Sequence, residues 1–149
     1  MGFFRSMDIR ASALTANRYW MDIIGENIAS ANTTRTADGG TYRRKYVVMQ
    51  ERPFAAALEA SQNRLRAGGP DVGGGVRLTA VREDTSPLKV VYDPQHPDAG
   101  ADGYVRLPNV DMEREMVDML AASRSYEANI TAVNNFKAMA NRALQIGRG

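Results

Sequence analysis

Apolar residues along the first thirty positions recur at helical rather than strand spacing. Met7, Leu14, Met21 and Ile28 repeat every seven residues, with Ala11, Ile24 and Ala31 between them on the same side. The spacing predicts a helix over residues 5–31, capped by Ser6, with Asp8 in its first turn and a stop at Asn32 and Thr33. Asn17, Arg18 and Gly25 interrupt the stripe or border it. A longer pattern occupies the other end. Alternating steps of four and three give Met112, Met116, Met119, Ser123, Tyr126, Ile130, Val133, Lys137, Ala140 and Leu144. Only Ser123 and Lys137 break the apolar rule, so a helix over 109–147 with a coiled-coil seam is expected. Pro108 and Asn109 mark its start, and Asp111, Glu113, Glu115 and Asp118 lie where a helix dipole favours acids.

A second apolar stripe, Phe136, Met139, Ala143 and Ile146, runs along the end of this helix. One neighbouring helix covers one face only. The N-terminal helix can serve the first stripe; the second needs a surface from outside the chain.

The residues between, about 40–107, change period. "YRRKYVVMQE", "GVRLTAVRED", "PLKVVYDP" and "GYVRLP" carry β-branched residues in partial alternation, separated by Gly-, Pro- and Asp-rich turns and a flexible Gly-rich loop near 60–75. The expected fold is α+β: long N- and C-terminal helices paired as a coiled-coil hairpin, with a small antiparallel β-module inserted between them. Residues 1–33 and 108–149 supply the two helices of one core domain, and 34–107 the β-rich insertion.

Composition narrows the function classes. The 149 residues include eight Met but only 7% aromatics, a balance that suits adaptable interfaces better than a large rigid core. A net charge of +2, spread along the chain, is too weak to argue for nucleic acid. With no cysteine, disulfides and thiolate metal sites are excluded. His96 stands alone in a proline-bracketed turn and reads as structural. No apolar run approaches the ~20 residues of a membrane span. "MGFFRS" fits an acylation pattern at Gly2 and Ser6, but nothing downstream supplies a second membrane signal. "GGPDVGGG" lacks the spacing and following helix of a phosphate loop. Alternation places Arg43 and Arg44 on opposite faces, so "RRK" reads as a charged edge strand rather than a basic surface. A Ser-His-Asp arrangement would have to use His96, and the helix-start acids serve the dipole before a cation. No catalytic residue, metal ligand or cofactor is expected. Asn17 and Asn134 are the amides placed to fix helix register from within a seam.

At both ends the residues resemble the bacterial flagellar rod and hook family. "ALTANRYWMDIIGENIASANTTRTADGGTYRRKYVVMQE" contains the family's N-I-A-x-x-N-T helix end at Asn27 to Thr33. The C-terminal helix carries N-V-D at Asn109 to Asp111, E-M-V at Glu115 to Val117 and R-x-Y-E-A-N at Arg124 to Asn129. "TRTADGGTYRRK", "GYVRLPNV" and the short length look most like the family's proximal rod members. The likeness covers about the first 50 and last 45 residues. It implies a non-enzymatic subunit of the periplasmic rod, exported by the flagellar type III apparatus without a cleavable signal peptide. Such a subunit polymerises through its terminal helices into a tubular drive shaft that transmits torque and passes later axial proteins. The implied partners are further copies, other proximal and distal rod subunits, the rod-base adaptor to the MS ring and export gate, and the export apparatus, with no nucleic acid and no membrane span. On this reading the assembly interface comprises Leu14, Met21, Ile24, Asn27, Ile28 and Asn32 with Met116, Met119, Tyr126, Ile130, Val133, Phe136, Met139, Ala143 and Ile146. "NTTRTADGGTYRRK" becomes the joint between helix and β-module, its bases directed at neighbouring subunits. The competing readings are another rod or hook axial subunit and, from a different class, a regulatory coiled-coil protein that binds nucleic acid through the basic middle.

Overall fold

The computed structural model describes residues 2–37, 39–51 and 75–147. Helix α1 spans Gly2–Ala29 and so begins ahead of Ser6, the cap that the sequence offers. Its end tightens as the Ala31 N–H donates to Ile28 O and the Thr33 N–H to Ser30 O, which leaves Asn32 and Thr33 beyond the helix as expected. Helix α2 spans Met112–Ile146, about 52 Å at 1.5 Å per residue. Its cap is Asp111, whose Oδ1 accepts the N–H groups of Glu113 at 3.1 Å and Arg114 at 3.5 Å.

Between the helices lie β1 (Lys45–Glu51), β2 (Val76–Glu83), β3 (Lys89–Tyr92) and β4 (Tyr104–Leu107), which make the fold α+β. They form two sheets of two strands each, β1 with β2 and β3 with β4. Two-stranded sheets are marginal alone, so these depend on what they pack against. The β3–β4 pair is antiparallel, with Val90 opposite Arg106 and Tyr92 opposite Tyr104. His96 is structural, its Nδ1 accepting the Asp98 N–H in the turn between these strands. Asp38 and all but Gly75 of the Gly-rich 60–75 segment fall outside the described residues.

The chain divides into two compact units. One comprises residues 1–19, 49–79 and 122–149; the other comprises 20–48 and 80–121. In the first, Arg10 stacks its guanidinium 4.4 Å from the centre of the Phe136 ring, and Asn17 Nδ2 donates to Ser125 Oγ at 2.9 Å. These pairs step in opposite directions along α1 and α2, so the two helices run antiparallel there. Ser12 joins α1 to β2, its hydroxyl accepting the Val76 N–H at 3.1 Å. In the second unit, Ile24, Tyr42, Val105, Pro108 and Val110 are buried around a polar cluster.

The packed faces coincide with the heptad stripes only in part: Leu14, Met21, Ile28, Met119, Tyr126 and Val133 are half-buried. On α1 the buried positions are Ala16, Asn17, Ile24 and Asn27; on α2 they are Glu115 and Ala122. Apart from Ile24, the fully buried positions lie beside the most apolar line rather than on it. Met112, Met116, Ile130, Lys137 and Leu144 of the expected seam are exposed, and so is Asn134, which leaves Asn17 alone of the two amides in a part-buried inter-helix bond. Asn17, Asn27 and Glu115 all find partners. That satisfaction lets a polar-bearing face pack inward.

Gly103 closes the β3–β4 connection at φ +74°, and a Cβ there would stand 2.9 Å from Tyr92 Cε2. Gly103→Ala should destabilise the chain by about 1–2 kcal/mol, combining left-handed strain with the clash. Urea midpoints of the two proteins measure this, and an unchanged midpoint would contradict it.

Candidate functional site

Glu115 sits three residues past the start of α2, and its side chain is fully buried. An isolated carboxylate there would be strongly disfavoured, so its partners decide whether this part of the chain can fold. Arg44 Nε meets Oε1 at 2.6 Å, and Asn27 Nδ2 donates to Oε2 at 3.0 Å. Asn27, at the end of α1, uses its whole amide. Nδ2 also donates to the Lys45 carbonyl at 2.8 Å, and Oδ1 accepts from the Tyr42 hydroxyl and the Lys45 N–H, each at 2.9 Å. Two donor hydrogens and two acceptor positions are the complete capacity of an amide.

A second ring of bonds holds Arg44. Its N–H donates to Asn109 Oδ1 at 2.8 Å, and its carbonyl accepts the Asp84 N–H at 2.7 Å. Asn109 Nδ2 and Arg43 Nη1 both donate to the carbonyls of Asp84 and Ser86. Arg44 Nη2 also lies 3.5 Å from Asp118, and Lys45 Nζ pairs with Glu26 at 2.5 Å. All three bases at 43–45 therefore have partners within their own chain. This corrects the reading of Arg44 as an exposed edge charge or a contact to a neighbour. Arg43 and Arg44 do go to different partners, as alternation requires, although both precede β1.

Burial pushes the Tyr42 hydroxyl up to about 12, helped by the negative charges of Glu26, Glu115 and Glu83. The Asp84 carboxyl is held below its usual range, chiefly by the Ser86 hydroxyl and N–H.

The residues expected at the assembly interface fall into three groups. Ile24 and Asn27 are buried. Leu14, Met21, Ile28, Met119, Tyr126, Val133 and Phe136 are half-buried, with Phe136 against Arg10 and Met119 beside Gly25. Asn32, Met116, Ile130, Met139, Ala143 and Ile146 are exposed, reaching 82% for Ile146. Phe136 thus belongs to the covered face, while the other three members of its stripe do not. The residues that sequence reasoning passed over are Arg44, Tyr42, Asn109 and Glu115. The available signal was an acid lying among Met112, Met116 and Met119, where a packed face admits one only with a partner. Among the described residues no three His, Cys, Asp or Glu side chains converge as metal ligands, and no helix is long and apolar enough to cross a membrane.

Arg44→Ala leaves a buried carboxylate without its cation and should cost about 3–5 kcal/mol. Arg44→Ala combined with Glu115→Leu should recover more than half of this in urea melts. A strictly additive double variant would refute the coupling. The Tyr42 shift has a definite sign. Below pH 10 the phenol is protonated in folded and unfolded chains alike, and the stabilisation is complete. As pH rises from 10.0 towards about 12, the unfolded chain loses the proton first and stability falls. Tyr42→Phe should flatten that alkaline loss in paired pH–stability curves, whereas identical slopes would refute the assignment.

The sequence matches the family model described as the flagellar basal body rod FlgEFG protein C-terminal over residues 101–146. Over its whole length it is 43% identical to the flagellar basal-body rod protein FlgC of Bacillus subtilis, covering 99% of this chain and 100% of that one. It is likewise 43% identical to FlgC of Borreliella burgdorferi across all of both chains. The figure is 37% for FlgC of Salmonella typhimurium, over 99% of this chain and 100% of the relative.

Proposed function

The chain belongs to the FlgC family of flagellar basal-body rod proteins, and from that premise we propose that its exposed helix faces build the rod. It is a structural subunit of the bacterial flagellar basal-body rod, and its place is in that rod. Residues 1–33 and 108–149 act together as the assembling core domain, paired as a coiled-coil hairpin, and 34–107 is the β-rich insertion that the polar cluster fixes to them. The subunit is not a catalyst. It meets further copies and other rod components, proximal and distal, together with the rod-base adaptor and the export apparatus that delivers it to the periplasm.

One observation carries the reading: the chain leaves a large share of its apolar helix surface uncovered. Met139, Leu144 and Ile146 on α2 are 53%, 68% and 82% exposed. Scattered apolar side chains are ordinary on a surface, but a helix end that leaves Met139, Ala143, Leu144 and Ile146 all exposed is an interface awaiting a partner. Leu14, Met21, Ile24, Ile28, Met119, Tyr126 and Val133 then hold the two helices together, while Met116, Ile130, Met139, Ala143 and Ile146 face neighbours. Arg44 and Lys45, satisfied internally, are not presented to a nucleic-acid backbone.

Met139→Asp with Ile146→Asp should leave the chain's level and helix content unchanged, because neither site is packed within it. Cells in which this variant is the sole copy should lose swimming and form no rods. Normal swimming would remove these residues from the interface.

A further inference from the structure

We propose that successive copies join head to tail through two faces away from the helix-end stripe of Met139, Ala143 and Ile146: the outer face of the β3–β4 hairpin, and the exposed face of the first three turns of α2. The proposal rests on the rod-subunit reading and names one contact within it. The register puts Val90, Tyr92, Tyr104 and Arg106 on the same side of the hairpin, away from Lys89 and the buried Val105. Val90, Tyr92 and Tyr104 are 59%, 64% and 46% exposed, and the two tyrosine rings meet edge to face at 5.2 Å. Tyr104 and Arg106 also line a groove of about 690 Å³, across which stands Arg35. Arg35 and Arg106 are exposed, and neither has an ion-pair partner among the described residues. The groove's acids are already engaged, Asp98 by the Thr34 hydroxyl and Asp102 by the Tyr104 N–H. Two guanidinium groups without an ion pair among the described residues thus stand beside exposed aromatic surface. Tyrosine and arginine are the side chains enriched where protein partners bind.

The complementary face lies in the same compact unit. Glu113, Met116, Val117 and Leu120 occupy positions i, i+3, i+4 and i+7 of α2, a single helix face. Met116, Val117 and Leu120 are each more than half exposed, and the Glu113 carboxylate has no ion-pair partner among the described residues. One acid followed by three apolar side chains matches two free guanidinium groups beside two tyrosines and a valine.

The two faces cannot meet in one chain. Lys89 Nζ donates to the Val110 carbonyl at 2.9 Å, so the hairpin turns its inner side towards the start of α2 and its outer side away. Glu115 points inward on α2, which directs Glu113 outward. A donor face and a different acceptor face on one subunit make a heterologous contact, the kind that propagates into a helical array instead of closing as a dimer.

The experiment uses full-length Arg106→Glu, full-length Glu113→Arg and the double variant, each as the sole copy in a swimming bacterium, with basal bodies then purified. Each single reversal sets like charges opposite one another, and recovery of the chain in basal bodies should fall at least tenfold. The double variant restores an opposite-charge pair and should return recovery to within about twofold of wild type. That return also shows that neither substitution prevents folding. If both single variants are recovered like wild type, or the double variant stays as depleted as the singles, the contact is wrong while the rod reading stands. If the wild-type chain itself is missing from basal bodies, the rod reading falls and this contact with it.

Discussion

The second unit is organised around the solvation of one carboxylate. Burying Glu115 removes it from water, a loss of several kcal/mol that has to be returned by fixed protein groups. The return comes from Arg44, ahead of β1, and from Asn27, at the end of α1. Neither is supplied by α2 itself, so the helix start cannot settle unless the other two segments arrive in place. Asn27 then positions the Lys45 backbone, where β1 begins, and Arg44 is held through Asn109 and the Asp84 backbone. Strands too short to be stable alone acquire their position from this centre.

The same requirement explains which features were legible in the sequence. Both helices, the α+β class, the four strand segments and the helix end at Asn32 follow from periodicity and turn chemistry, which are local. The rotation of each packed face was not legible. A heptad count ranks positions by apolarity, and it placed Met116 inside where the structure places Glu115. That ranking fails where a polar side chain has a complete set of partners, and those partners lie 71 and 88 residues away. Arg44 was misread for the same reason, since a base in "YRRK" carries no local mark of the acid it meets. Cross-chain satisfaction is invisible to a sliding window.

Helices that turn polar residues inward leave apolar ones outward, and this links folding to assembly. Had the heptad stripes been the packed faces, Met116, Ile130 and Leu144 would be consumed within the chain. The polar cluster takes the inner place at Glu115 and leaves Met116 exposed beside it. Methionine suits such a place because an unbranched thioether adapts to neighbours of different shape. The hydrogen bonds thus help to set which side of each helix start faces inward, and they leave Met116 in solvent.

Asn27 has a further consequence, in time rather than space. Its four bonds draw on Tyr42, Lys45 and Glu115, and the start of the second helix must be present before the last is available. A chain emerging N-terminus first has nothing to close the cluster until nearly four-fifths of it has been released, because Glu115 is residue 115 of 149. Contacts between such distant positions also form slowly, as loop closure must precede any gain from them. The bond between Asn27 and Glu115 therefore closes late, once the start of the second helix has emerged.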